Sequence, residues 1–536
     1  MATTVHETFE ATAARYPDRP MLCVVAETAR IYGIEAGETT YVEARGAVER
    51  LRVRYAEAGY GPGHRVGLLL ENRPAFLWHW LALNALGASI VPINPDLRAA
   101  ELGYLIGHSE MVLAVAIPER AGDLREAAGE AGRDLAVTGT DEAPQPAPFP
   151  ATGETPDADT EAAVLYTSGT TGAPKGCVLT NTYFTHCGDW YRGMGELCAL
   201  EDGAERMLTP LPLFHMNALA CSVMAMLATG GCLTVLDRFH PRSWWNSVRE
   251  SGATCIHYLG VMPPMLMGAP ESEADRDHAV CFGFGAGVPA DLHAPFEGRF
   301  GFPLIEAWAM TETGAGGVIT AHEEPRHVGT ACFGRTDEGV DARVVAEDGA
   351  EAGPDEPGEL LVRRAGPDPR HGFFDRYLKD EAATDAAWRG SWLHTGDVVR
   401  RDAAGNFRFV DRRKNVIRRS GENIAAVEVE GVLRGHPLVE EAGVAAVPDP
   451  VRGDEVFALV VPARPVDDPS AAAAEIVAWM LTRLAYYKAP GFIAFVDALP
   501  VTATNKVQRQ RLKEEAARLL SEGHAIDLRA TKKRAA

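Results

Sequence analysis

The stretch HRVGLLLENRPAFLWHWLALNALGASIVPINP, His64 to Pro95, changes texture twice within one short span. Val66–Leu70 reads as an apolar strand, the run after Pro74 as a helix of about three turns, and Ser89–Pro92 as a second apolar strand. Strands apolar on both faces belong in a covered parallel sheet, so this is a βαβ unit. The pattern recurs at Leu233–Leu236, Cys255–Leu259 and Val280–Phe284, with helical stretches between. The fold class that follows is α/β, a large N-terminal domain of βαβ-type subdomains. Thr138 to Thr160 is rich in proline and acid and reads as a surface connection. From Val328 to Phe409 short alternating strands with frequent glycine predict a β-rich subdomain. Beyond Asp411 a small α+β unit follows, with helices near Ala471–Leu484 and Gln508–Glu522. The expected division is a domain over 1–410 and a second over 411–536.

At 536 residues the chain exceeds one ordinary core. A hydrophobic fraction of 46% with 24% charged residues is that of a soluble globular protein. A net charge of −22 disfavours nucleic acid and anionic membrane as partners. The charge is uneven: from Arg412 onward 19 basic residues face 16 acidic ones, a surplus of +3, leaving −25 on the rest. The nine cysteines contain no CxxC pair, so neither a disulfide framework nor a zinc site is indicated. The start has acidic residues and no apolar core of a signal peptide. The longest uncharged run, Met207 to Leu236, is broken by prolines and a Gly-Gly pair, and predicts a buried helix followed by a strand rather than a membrane span. A cytoplasmic enzyme is the expectation; the oligomeric state stays open, a homodimer included.

Five separated motifs carry chemistry. LYTSGTTGAPKG, Leu165 to Gly176, combines five hydroxyls, three glycines and a lysine in twelve residues. Bare N–H groups, hydroxyls and a point charge suit a polyphosphate. Pro174 and Gly176 flank the lysine, so the Walker pattern fails; the downstream CVLTN reads as a strand, making this a turn between strands. EAWAMTETGAG, Glu306 to Gly316, reads as a strand ending in Thr311-Glu312, where a carboxylate beside a hydroxyl suits Mg²⁺. In WLHTGDV, Asp397 follows a turning glycine and suits two ribose hydroxyls. DRRKNVIRRSGEN, Asp411 to Asn423, holds five cations within eight residues at the domain junction. LPVTATNKVQRQRL places Lys506 on a turn before the last helix. Taken singly, the last four read more readily, or as readily, as a solvated strand end, a turn, a charged surface and a surface lysine.

The order and spacing of the five resemble the adenylate-forming superfamily of acyl-CoA synthetases, luciferases and peptide-synthetase adenylation domains, over nearly the whole chain. GENIAAVEVE and TATNKVQR are most similar to the stand-alone acyl-CoA ligase branch. The resemblance implies an ATP-dependent acid–CoA ligase: a carboxylate attacks the α-phosphate of MgATP, pyrophosphate leaves, and the thiol of coenzyme A displaces AMP. Catalysis of that kind is mostly positioning and charge stabilisation. A carrier-protein phosphopantetheine is the alternative acceptor. The small domain would turn on a hinge at Asp411.

By the same resemblance, Thr167, Ser168, Gly169, Thr170, Thr171, Gly172 and Lys175 would hold the β- and γ-phosphates. Thr311 would touch the α-phosphate, and Glu312 would bind Mg²⁺. Asp397 and Arg412 would hold the ribose, Gly285-Ala286-Gly287 would back the adenine, and Trp308-Ala309-Met310 would flank it. Lys506 would stabilise charge between carboxylate and phosphate. Ser420-Gly421-Glu422 would reach the thiol tunnel after the hinge turns, with the basic run beyond Arg412 on the CoA phosphates. His215, Gly260, Val261, Trp308, Ala309, Gly314 and Ala315 would line the acyl pocket. Trp308-Ala309 replaces the family's usual Tyr-Gly, and small Ala309 implies a pocket deeper than acetate needs.

Overall fold

The computed structural model describes residues 2–167, 173–346, 348–412, 416–500 and 507–532, without the side chains at 411, 412, 416 and 510. It forms two compact units: one of residues 1–95, 106–165 and 176–411, the other of 96–105, 166–175 and 412–536.

In the first unit the His64–Pro95 stretch becomes strand Arg65–Leu69, helix Pro74–Ala85 and strand Ser89–Pro92. The strands pair in parallel, Arg65 opposite Ser89 through Leu68 opposite Pro92. Proline opens the helix, where its missing N–H removes no bond. The helix buries Phe76, Leu77, Trp80, Leu81 and Leu83, which explains apolar residues on most of its faces. These strands lie inside a seven-stranded sheet that also holds Glu161–Thr167 and Lys175–Thr180, the two strands flanking the phosphate-loop motif. Residues 139–160 carry no strand or helix, as their composition predicts.

A second sheet positions the site. Its six parallel strands run, in spatial order, Leu304–Trp308, Phe282–Ala286, Cys255–Leu259, Arg206–Thr209, Cys232–Val235 and Pro20–Val24. The strands Ile319–Thr320 and Gly37–Thr40 close its edges antiparallel. Parallel strands share one carboxyl rim, and the crevice outside that rim is where open α/β sheets bind ligands. The uncharged run Met207–Leu236 holds the predicted buried helix and strand, Val223–Thr229 and Cys232–Val235, but begins in strand Arg206–Thr209. A π-helical stretch, Asn217–Ser222, leads into its helix.

The β-rich subdomain is a sheet ordered Cys332–Gly334, Phe407–Arg412, Trp392–Arg401, Pro357–Arg364, Val340–Val345, with Trp388–Arg389 paired alongside. Two local expectations need correction. The strand before Thr311-Glu312 ends at Trp308, so those two residues lie in the turn beyond it. Asp397 lies within strand Trp392–Arg401 rather than in a turn; Gly396, at φ +72, serves a bulge where the register slips between Glu359 and Leu361.

The second unit packs helices Ala426–Leu433, Pro469–Leu481 and Arg509–Ser521 on a mixed six-stranded sheet. Its core is Ile424, Val429, Leu433, Val456, Ile476 and Ile493 with their neighbours. Every cysteine is free and Cys281 alone is exposed. No described helix is long and apolar enough to cross a membrane.

Candidate active site

The site starts from a buried carboxylate. Glu306 lies inside strand Leu304–Trp308, and its oxygens accept hydrogen bonds from Gly287 N (2.8 Å), Val288 N (3.0 Å) and Tyr258 Oη (2.9 Å). Burial pushes this carboxyl up from the usual range, while the three donors act in the opposite direction. The carboxylate therefore pins the turn after strand Phe282–Ala286 to the neighbouring strand.

Glycine is required along that rim by close approach. A Cβ on Gly285 would lie 2.2 Å from Tyr258 O, and one on Gly260 would lie 1.9 Å from Gly287 O. The loops after Leu259 and Ala286 thus touch backbone to backbone. Residues 214–217, 259–261, 286–287 and 309–311 retain solvent access while the strands beneath them are buried, so the carboxyl rim opens into a mouth.

Trp308 closes its strand with the indole Nε1 donating to Asp397 Oδ2 at 2.9 Å, both residues nearly buried. The Asp397 N–H donates to Thr395 Oγ1, whose hydroxyl donates to Leu360 O. Asp397 therefore meets a ligand as half of an indole–carboxylate pair. Beyond Trp308, Met310 N donates to Thr313 Oγ1, and Gly314 N to Met310 O, closing a turn that presents Ala309 and Thr311 at the surface. Tyr183 Oη donates to Thr311 O at 3.0 Å. Gly314 (φ +48) and Ala315 are buried; a Cβ on Gly314 would meet the Tyr183 ring at 2.4 Å.

Glu312 is buried, and its Oε1 accepts from Tyr377 Oη at 2.7 Å. Its other oxygen has no partner among the described residues. One oriented carboxylate with a spare oxygen fits Mg²⁺, which keeps waters and takes its remaining ligands from substrate phosphates. No group of three or more His, Cys, Asp or Glu side chains that would hold a metal by itself occurs among the described residues.

The other predicted residues are placed as follows. Thr167 ends one strand and Lys175 opens the next; Ser168 to Gly172 lie outside the described residues, as does Lys506. Arg412 ends strand Phe407–Arg412, its side chain not described. Ser420 and Gly421 form a tight turn at φ +51 and +91, with Ser420 N donating to Arg452 O, and Glu422 begins the following strand. Val261 caps helix Met262–Met267 beside Gly260. His215 is half-buried, its ring 4.6 Å from that of Phe214.

Two contributors went unassigned at the level of sequence. Glu306 was visible as a lone carboxylate between Ile305 and Ala307, inside an apolar strand, where an acid needs buried donors. The second is a four-residue network. His257, fully buried on strand Cys255–Leu259, touches Tyr191 Oη through Nε2 (2.9 Å), and Ser222 Oγ (2.7 Å) and Asn217 Oδ1 (2.9 Å) through Nδ1. Burial pushes its pKa down to about 3, so the ring is neutral. No local pattern marks it, because its members come from three elements.

The comparisons with known proteins agree with this geometry. The family model described as AMP-binding enzyme matches residues 9–368, and that of the AMP-binding enzyme C-terminal domain matches 428–506. A sulfoacetate–CoA ligase of Cupriavidus necator is 33% identical, over 94% of this chain and 96% of its own. A feruloyl-CoA synthase of an Amycolatopsis species is 34% identical over 88% and 93%. Among solved structures, an o-succinylbenzoate CoA synthetase from Bacillus subtilis, bound to a product analogue, matches at TM-score 0.78 with 25% identity, covering 95% of this chain and 98% of that one. A malonyl-CoA ligase with methylmalonyl-CoA and AMP bound matches at TM-score 0.74 with 28% identity, covering 90% and 97%. The chain belongs to the AMP-binding enzyme family and, within it, to the AMP-forming acid–CoA ligases.

Proposed function

We propose that ATP binds at the carboxyl rim, against the Trp308–Asp397 pair and the Gly285–Gly287 turn. Adenylation there activates a carboxylic acid that coenzyme A then takes up. The observation that carries this reading is the indole–carboxylate hydrogen bond beside a turn held by Glu306. It sets a ring and a hydroxyl acceptor at one edge of a crevice of the kind that binds nucleotides. Thr167 to Thr171 with Lys175 receive the β- and γ-phosphates, and Thr311 meets the α-phosphate. Arg412 joins Asp397 on the ribose. Glu312 holds the magnesium, which when bound neutralises polyphosphate charge. His215, Val261 and Ala309 line the acyl side.

Attack by a carboxylate on a phosphate concentrates negative charge between two anions, and Lys506 supplies the countercharge. The large domain, 1–410, carries the nucleotide, and 411–536 moves about Asp411. After AMP formation Lys506 gives way to the Ser420–Glu422 turn, and the basic run from Arg412 meets the CoA phosphates. The relatives named above act on chemically different acids, so membership of the family does not choose the acid.

Lys506→Ala tests this scheme. Formation of acyl-AMP should fall by about a hundredfold to a thousandfold, the range for removing one donor aimed at developing charge. Thioester formation from synthetic acyl-AMP and CoA should stay within about threefold, since that step does not use the lysine. Equal damage to both steps rejects the two-stage scheme. Thioester formation with a phosphopantetheinylated carrier but not with free CoA assigns the acceptor as a protein.

A further inference from the structure

The network around His257 bears on which acid is accepted, and this inference rests on the ligase reading above. Its wiring follows from the atoms present. Asn217 Oδ1 only accepts, so the His257 Nδ1 facing it at 2.9 Å carries the ring proton. Nε2 is then the acceptor, and Tyr191 Oη donates to it at 2.9 Å. Ser222 Oγ lies 2.7 Å from Nδ1 and donates to Asn217 O at 3.4 Å. Every buried polar atom in the cluster is satisfied by this one arrangement. The reverse tautomer would leave Asn217 Oδ1 facing a lone pair.

That wiring fixes which way the Asn217 amide points. Its oxygen is held by His257, so its NH₂ is directed elsewhere. Among the described residues the amide nitrogen has no hydrogen-bond partner, and it is not buried. The position is specific: between Met207 and Leu236 only Pro212, Phe214, His215, Met216, Asn217 and Ala228 keep solvent access. The four consecutive ones follow strand Arg206–Thr209 and so lie at the carboxyl rim, beside the open residues 259–261 of the adjacent strand. The walls are otherwise apolar: the rings of Trp190, Tyr191 and Phe284 cluster on one side, and Met216 Sδ and Cys221 Sγ approach to 3.7 Å. A π-helical turn, which recurs at functional sites because it re-aims side chains, begins at Asn217 itself.

We propose that Asn217 is a specificity-determining residue. Its amide N–H would donate to an oxygen carried on the acyl chain, so this ligase prefers acids bearing a hydrogen-bond-accepting oxygen to their alkyl isosteres. His257 is the positioning residue that holds the amide in this orientation, with Tyr191 and Ser222 fixing the ring. A donor fixed in an apolar wall discriminates because an alkyl isostere leaves it unpaired.

The test uses isosteric pairs at three sizes: methoxyacetate against butyrate, levulinate against isocaproate, and methoxybenzoate against ethylbenzoate. Acyl-CoA and AMP are both measured. The full-length enzyme should favour the oxygenated member of at least one pair by about tenfold or more in kcat/KM. Asn217→Leu should bring that ratio to about one by slowing the oxygenated acid alone, with KM for ATP unchanged. Asn217→Ala, which cannot be overpacked, should do the same. His257→Phe should also abolish the preference although Asn217 is intact, and His257→Gln, which restores an N–H donor, should recover part of it; a merely structural role would not move this ratio. A preference for the alkyl member in every pair overturns the inference, as does a ratio unchanged in both Asn217 variants. If no acid yields AMP, the ligase reading fails and this one with it; acyl-CoA production with an Asn217-independent ratio removes this inference alone.

Discussion

At the scale of single residues the site depends on a carboxylate that need never touch substrate. Glu306 satisfies two backbone N–H groups and the Tyr258 hydroxyl in a fully buried position. Glu306→Leu would orphan all three donors, each worth about 1–3 kcal/mol when left unpaired. Denaturant unfolding should show a loss of roughly 3 kcal/mol or more, and KM for ATP should rise because the Gly285–Gly287 turn is released. Glu306→Gln keeps one acceptor oxygen and should recover a substantial part of both. A leucine variant as stable as the parent would show that the turn holds itself. Asp397 was legible from its place after Gly396; its partnership with Trp308 was not, because 89 residues separate the two.

At the scale of elements the rim is a matter of backbone contact. The loops following two adjacent strands meet at Gly260 and Gly287, where an added methyl would lie 1.9 Å from a carbonyl oxygen. Backbone cannot swing aside as a long side chain can. Gly260→Ala should therefore displace one loop, lowering kcat/KM by about tenfold or more through lost alignment with a stability loss of about 1–3 kcal/mol. Gly122→Ala is the control: it lies in helix Pro118–Glu130 with nothing within 4 Å of its added Cβ. It should stabilise by about 0.5–1 kcal/mol without changing turnover. Thermal unfolding with steady-state kinetics on both variants decides. Equal activity in the two would show that the rim tolerates the shift. Strand periodicity located these elements to within a residue or two, but it carries no information on which loop touches which.

At the scale of the whole molecule the second unit contains an ionic cluster that sets a pH dependence. Glu455, fully buried, accepts from Arg419 Nε at 2.9 Å and from Lys532 Nζ at 2.5 Å. The carboxylate is already neutralised by Arg419, so burial dominates at Lys532; its pKa falls from 10.5 to about 7, aided by repulsion from Arg419 and Arg452. Between those two values the unfolded chain binds a proton that the folded one does not, so this residue's contribution to stability rises with pH across the window. Below about 7 both states are protonated and the full penalty stays constant. Lys532→Met removes the penalty. Its advantage over the parent should be greatest near pH 6 and shrink toward pH 9, by up to about 1.4 kcal/mol per pH unit. A pH-independent difference would mean that the amine stays charged when buried.

What the sequence by itself determined is whatever short range controls. Apolar strand–helix–strand texture from His64 to Pro95 specifies a covered parallel sheet, and the change to alternating strands after Val328 specifies a separate β-rich layer. The hydroxyl- and glycine-rich loop, Thr311-Glu312, Asp397 and Lys506 specify adenylation chemistry by type and order. Tertiary structure decided what depends on distant partners. It set Trp308 on Asp397 and Tyr377 on Glu312, and it converted Glu306 from a strand residue into the pin of a glycine turn. It also built a histidine network from Tyr191, Asn217, Ser222 and His257 that no periodicity marks. The physical reason is that a hydrogen bond in a dry interior has an angle and a partner, and both are set by how strands register, whereas hydrophobic pattern is read from one chain segment at a time.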